Sequence, residues 1–159
     1  MNKDRDLEFL KMTIKMAEEN VLSGHGGPFA AIIVKDGEII ATGVNSVTSE
    51  LDPTAHAEIK AIRNACKTLD SYQLTDCDIY SSCEPCPMCL GAIYWSRPKR
   101  IVFAANKRDA AQAGFDDSFI YEQLKLPINQ RKIETIEIML DDKTLPFQKW
   151  NNYNSKIDY

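Results

Sequence analysis

The run Phe29-Ala30-Ala31-Ile32-Ile33-Val34-Lys35-Asp36-Gly37-Glu38-Ile39-Ile40-Ala41-Thr42-Gly43-Val44-Asn45 decides the fold. Two β-prone segments, 29–35 and 38–45, flank Asp36-Gly37, a dipeptide that tolerates positive φ and suits a two-residue hairpin. Upstream, Leu7, Leu10, Ile14, Ala17 and Val21 recur at three- and four-residue steps. That spacing predicts an amphipathic helix ending near Ser23-Gly24, where Gly24, Gly26, Gly27 and Pro28 break it. Downstream, Asp52-Pro53 predicts a helix start that continues through the stripe Ile59, Ile62, Ala65, Cys66 and Leu69. Residues 78–82 read as a strand, 87–95 as a helix begun by its proline, and 100–104 as another strand. Helix, strand, helix, strand implies parallel neighbours in one sheet, hence an α/β fold. Beyond these, 117–124 reads as helix, 133–140 as a fifth strand and 146–153 as a final helix. No internal repeat, low-complexity segment or linker interrupts the chain, so residues 1–159 are expected to form one domain.

The bulk numbers limit the function classes. At 159 residues the chain can bury roughly 70% of its unfolded surface without a staple. Its longest strongly apolar stretch, Phe29 to Val34, is far too short to span a bilayer. Lys3, Asp4, Arg5, Asp6 and Glu8 stand where a signal peptide needs an apolar segment, which points to the cytoplasm. A net charge of -4 and a pI near 5.2 give no long-range attraction for a polyanion, so small neutral substrates are favoured over nucleic acid. Five cysteines in such a chain suit metal binding and buried thiols better than a disulfide framework.

His56-Ala57-Glu58 and Pro85-Cys86-Pro87-Met88-Cys89 carry the chemistry. Cys86 and Cys89 are three apart at a helix start, which puts both sulfurs on one face. His56 supplies a third ligand and Glu58 is left over. A structural zinc site uses four protein ligands, whereas a catalytic one keeps a position open for water with an acid or base beside it. Residues two apart on a helix point roughly 200° apart, which argues against His56 and Glu58 meeting one ion. The objection weakens if the ion lies off a helix N-terminus. Two thiolates and a neutral imidazole suit one zinc ion per subunit, and Glu58 would accept and hand on the proton of an attacking water. Hydrolytic deamination of an amino-bearing ring carbon is the natural reaction for this set.

Plainer readings stand beside these. Cys83 extends the pattern to CxxCxxC, compatible with part of an iron–sulfur site, and a lone CxxC can be structural or redox-active. Cys66 and Cys77 read as core fillers, His25 as an exposed loop residue and Glu84 as a local hydrogen-bonding group. Asn45 could end a strand, Asp117 could cap a helix, and Phe29, Trp95 and Phe115 could be ordinary core.

Taken together, Pro28-Phe29-Ala30-Ala31, Thr54-Ala55-His56-Ala57-Glu58 and Ser82-Cys83-Glu84-Pro85-Cys86-Pro87-Met88-Cys89-Leu90-Gly91-Ala92-Ile93-Tyr94-Trp95 resemble the cytidine deaminase-like superfamily, whose base-modifying zinc enzymes carry this signature. Asn45, Asp52-Pro53-Thr54, the segment from Ala113 to Phe119, and Pro146-Phe147-Gln148-Lys149-Trp150 with Tyr159 are most similar to the bacterial guanine deaminase branch. The likeness covers nearly the whole chain. It implies a three-layer α/β/α sandwich with a five-stranded mixed sheet, zinc held by His56, Cys86 and Cys89, and Glu58 as proton shuttle. It further implies that Asn45 and Asp117 hydrogen-bond the purine, with Asp117 assisting the departing amine. Phe29, Ala57, Trp95 and Phe115 would line the substrate site. It also implies a homodimer in which a C-terminal segment of about 141–159 is exchanged, so that Tyr159 closes the partner's pocket. Ala31 or Ala30 departs from the glycine that often follows the Pro-aromatic pair, and a methyl there would narrow the pocket slightly.

The expected reaction is therefore guanine to xanthine and ammonia. Rivals are deamination of another free base, a nucleoside or a triazine such as ammeline, and of adenosine in tRNA, which needs base extrusion and a positive groove. A non-catalytic zinc scaffold is the rival from another class, and the intact Glu58 speaks against it.

Overall fold

Asp36 and Gly37 both take positive φ, 51° and 83°, and close the hairpin between β1 (Ala30–Lys35) and β2 (Glu38–Val44) in the computed structural model, which describes residues 3–158. A two-residue turn of that hand matches the natural twist of paired strands. β1 pairs antiparallel with β2 from Ala30↔Val44 to Lys35↔Glu38, with one irregularity between Ile33 and Val34. On its other side β1 pairs antiparallel with β3 (Cys77–Cys83), and β3 runs parallel to β4 (Arg100–Ala105). The order is β2-β1-β3-β4, a mixed sheet. The parallel pair is joined through α4 (Pro87–Ser96), as the helix between two strands predicted.

The two central strands are buried on both faces, so each face needs a helical cover. Ala31, Ile33 and Ile79 pack with Ala57, Ala61, Ile62 and Ala65 of α3 (Ala57–Leu69) and with Ile93 of α4. Ile32, Val34 and Tyr80 point the other way, against Phe9, Leu10 and Met16 of α1 (Lys3–Leu22). Cys77 fills core and Cys66 packs at its margin, as expected. On the α1 side Arg100 donates to both oxygens of Asp6 at 2.9 and 2.7 Å and to Oδ2 of Asp78 at 2.8 Å, tying the first helix to two strands.

Contact on the α3 side is unusually close at Gly43 of β2. A Cβ there would stand 2.3 Å from the Ala57 carbonyl oxygen and 2.5 Å from the Ala61 nitrogen, so only glycine lets the start of α3 lie on the sheet.

The helix predicted from Asp52-Pro53 begins later, at Ala57. Asp52 does not cap a helix; its Oδ1 accepts from the Thr54 backbone N–H and hydroxyl, both at 2.7 Å, and holds a turn over 52–55. The Ser46 N–H then donates to the Ala55 carbonyl at 2.9 Å, bringing the turn back to the end of β2. Two short helices escaped the sequence reading, α2 (Val47–Glu50) and α5 (Lys107–Gln112).

The chain divides into two compact units, one running to Asp117 and one from Ser118. The second contains α6 (Ser118–Lys125), a 3-10 turn at Ile128–Gln130 and α7 (Leu145–Asn151). The fifth strand expected at 133–140 is not formed: among the described residues the sheet has four strands. Ile133, Ile136, Ile138, Met139 and Leu140 are all exposed. β-propensity expresses a fit to a partner strand and a covered face, and alternating apolar residues cannot form a strand by themselves. Among the described residues no helix is long and apolar enough to cross a membrane.

Candidate active site and metal centre

Two helix N-termini build the site. His56 is the N-cap of α3 (φ −72°, ψ 156°) and Cys86 the N-cap of α4 (φ −65°, ψ 169°), each in extended conformation and neither using its side chain as a cap. Pro87 follows Cys86 as the first helical residue, where its missing N–H costs nothing. Because an N-cap stands off the helical progression, His56 and Glu58 are released from the opposed directions that two in-helix residues would take. Both side chains reach the same volume.

His56 Nδ1 lies 3.5 Å from Sγ of Cys86 and 3.5 Å from Sγ of Cys89. Ligand atoms of the three residues all fall within 4.8 Å of one another, a spread that suits three corners around one small dication. The pairing of the two thiols, with His56 beside them, pulls Cys86 down to about 4 and pushes Cys89 far up. The bond to Cys86 likewise raises His56. Such a thiolate–imidazole cluster at two positive helix ends is primed for a soft cation, to which both sulfurs bind as thiolates.

Glu58 is 6% exposed and faces this cluster. Cys89 Sγ stands 3.4 Å from its Oε2, and the Ser81 hydroxyl donates to its Oε1 at 3.3 Å. Burial is the main cause that raises its carboxyl above the usual range, which suits a group that takes and returns a proton near neutral pH.

Residues 3–105 match the family model described as the cytidine and deoxycytidylate deaminase zinc-binding region. The chain belongs to this deaminase family. It is 57% identical over 151 residues to the guanine deaminase of Bacillus subtilis, covering 95% of this chain and 97% of that one. The X-ray structure of the Bacillus subtilis guanine deaminase superposes with a TM-score of 0.95 at 55% identity, over 100% of this chain and 99% of the other. A tRNA-specific adenosine deaminase of Buchnera aphidicola is 42% identical over 115 residues, 72% of this chain and 76% of its own. The deaminase's zinc-binding region is thus represented by His56, Cys86 and Cys89, and their donor set fits zinc.

The other expected residues fall into two groups. Asn45 is buried, its Oδ1 accepting from the Gly27 N–H at 3.0 Å and its backbone carbonyl accepting from Asn20 Nδ2 at 2.9 Å. Phe29 and Phe115 meet edge to face with ring centroids 5.0 Å apart. Burial raises the Asp117 carboxyl, and the charge of Cys86 adds to it. In contrast, the Ala57 side chain is fully buried in the core, and Trp95 lies on the last turn of α4, 66% exposed. Tyr159 lies outside the described residues. His25 is exposed, as predicted, but its Nε2 is 3.0 Å from the Ser46 hydroxyl. Glu84 serves locally, accepting from the Lys107 N–H at 3.1 Å. Cys83 is no part of the metal cluster; its Sγ lies 3.7 Å from the Asn106 carbonyl.

Two elements of the site were missed by the sequence reading. Asn20 donates to both the Gly27 and Asn45 carbonyls, at 2.8 and 2.9 Å; it lies off the predicted stripe of α1, on the face where Thr13 and Ala17 are buried. Ser81 was legible as a hydroxyl in the otherwise apolar alternation of β3.

Proposed function

We propose that this chain is a zinc-dependent guanine deaminase, hydrolysing guanine to xanthine and ammonia. The observation that carries the substrate is the reach of the likeness: to the Bacillus subtilis enzyme it runs through both units, whereas to the Buchnera tRNA deaminase it spans under three quarters of the chain. An acidic balance adds to this, since a tRNA substrate calls for a positive groove.

Zinc, when bound by His56, Cys86 and Cys89, supplies the Lewis acidity that makes water nucleophilic near neutral pH. Glu58 takes one proton from the attacking water, and the oxygen adds to the ring carbon that bears the amino group. Glu58 returns that proton to the adjacent ring nitrogen, and the remaining water proton follows to the amine as the carbon–nitrogen bond breaks and ammonia departs. Asp117 hydrogen-bonds the leaving amine. Asn45 binds the purine edge through Nδ2, its Oδ1 being engaged by Gly27. Phe29 and Phe115, which meet edge to face, pack against the purine, with Ala57 and Trp95 at the margin.

The working form proposed is a homodimer with an exchanged C-terminal segment of about 141–159, in which Tyr159 closes the partner's pocket. No described residue from Ser118 onward is buried, and a segment without a core of its own needs another surface to hold it. Five free cysteines suit the reducing cytoplasm.

The deciding experiment is incubation of zinc-loaded protein with guanine, guanosine, cytosine, adenine, ammeline and tRNA, with ammonia as the readout. Release from guanine well above the others supports the proposal; release only from tRNA or from ammeline overturns it.

A further inference from the structure

We infer that Ser81 is a positioning residue for catalysis, holding one oxygen of Glu58 so that the other stays turned to the metal centre. The inference rests on the proton role proposed for Glu58 and extends it to a residue on a different element.

The local pattern singles Ser81 out. Along β3, Ile79 and Ser81 face the α3 side, and Ser81 is paired with Ala31 in the neighbouring strand. Ala31, Ile33 and Ile79 on that face are fully buried and apolar, yet position 81 carries a hydroxyl and is only 2% exposed. A buried hydroxyl in an apolar layer costs free energy unless it is bonded. Its bond is the 3.3 Å contact to Glu58 Oε1, while Oε2 stands 3.4 Å from Cys89 Sγ.

The geometry has a mechanical meaning. Glu58 sits in the first turn of α3, and its carboxylate can rotate about its last torsion, which for a carboxylate is broad and two-fold. A hydroxyl from the rigid central strand pins one oxygen on the sheet side. The second oxygen is then presented toward His56, Cys86 and Cys89, where a water must be met within hydrogen-bond reach. The partner of the Ser81 hydroxyl is Glu58, so its effect on the reaction passes through Glu58.

The test uses zinc-loaded full-length protein and guanine, comparing Ser81→Thr with Ser81→Val. The two replacements have nearly equal volume, so any fold penalty is shared and the hydroxyl is the difference. Ser81→Val is expected to lose about 10- to 100-fold in kcat relative to Ser81→Thr, with KM within about twofold and zinc content unchanged. Equal kcat for the two variants, or a loss carried by KM, overturns the inference.

A second arm reads the bond without activity. In wild-type protein Ser81→Ala leaves Glu58 Oε1 buried and unbonded, so Tm falls; in a Glu58→Ala background the same change removes a partnerless hydroxyl, so Tm is unchanged or rises. An equal fall in both backgrounds overturns the inference. If Glu58→Ala itself remains active, the proton role fails and takes this inference with it; if Glu58→Ala is inactive while Thr and Val match, only the Ser81 role fails.

Discussion

His56 and Cys86 occupy the same position on two different helices: each is an N-cap in extended conformation, and Nδ1 of one stands 3.5 Å from Sγ of the other. The site is therefore a meeting of two helix beginnings. From each, a second group follows within one turn, Glu58 two residues after His56 and Cys89 three after Cys86. Positive helix ends favour thiolates and any negative charge that develops beside them.

Glu58 is needed for proton transfer and not for holding the metal. Glu58→Gln should lower kcat roughly 100- to 10,000-fold while one zinc per chain is retained. Ammonia release and elemental analysis check this; wild-type turnover by the variant would remove Glu58 from the mechanism.

Loss of a ligand should act on both activity and stability. Cys86→Ala, or prolonged chelation of the wild type, is expected to abolish turnover and lower Tm, and added zinc should restore only the chelated wild type. The comparison is made by thermal melts before and after zinc addition.

Gly43→Ala should disturb the site from a distance. The new methyl would meet the Ala57 carbonyl and Ala61 nitrogen, pushing the start of α3 off the sheet with His56 and Glu58 on it. A stability loss of about 1–3 kcal/mol in denaturant titration is expected, with a fall in kcat. Unchanged stability would mean that the helix shifts freely.

Acid should weaken the α1 anchor. Hydrogen bonds from Arg100 are the main cause holding the Asp6 carboxyl below its ordinary value of 3.8. A folded-state value below the unfolded one means that the contribution is full above the ordinary carboxylate range and lost as pH falls through the lowered value. Asp6→Asn should therefore be less stable than wild type at pH 7, and the gap should begin to narrow below about pH 4 and close only once pH passes the lowered value. Melts across pH 2–7, on the order of one unit apart, read this directly; a constant gap would refute it.

The exchanged C-terminal segment can be tested by complementation. Glu58→Ala and a chain truncated after about residue 140 should each be inactive alone, and their mixture should regain activity, because one mixed site then has both an intact Glu58 and an intact tail. A mixture with no activity, under conditions where the subunits exchange, would argue against the swap.

Most of the fold was legible because its elements are specified locally. Asp36-Gly37 dictated the hairpin and Pro87 the start of α4; α1 formed where expected, but its predicted stripe is only partly its buried face, since Leu7, Ile14 and Val21 are exposed while Thr13, Ala17 and Asn20 are buried. The strand expected at 133–140 was misread because its alternation is real but a strand exists only with a neighbour. α5 was overlooked although Asn106 and Asp109 form a reciprocal capping box, a local signal present in the chain. The later start of α3 was hidden because Asp52 can cap a turn as well as a helix, and the tie from Ser46 to Ala55 comes from a remote strand end.

Ligand identity was legible in the same way: two cysteines three apart, a histidine and a spare carboxylate have few other uses together. What residue order alone determined was the donor set and the helices that begin beside it, since both depend on neighbours a few positions away. What tertiary structure decided was the convergence of residues 30 positions apart, the close approach at Gly43 and the Ser81 bond to Glu58. Those depend on which faces of a sheet and two helices come together, and burial of apolar surface fixes that only across the folded chain.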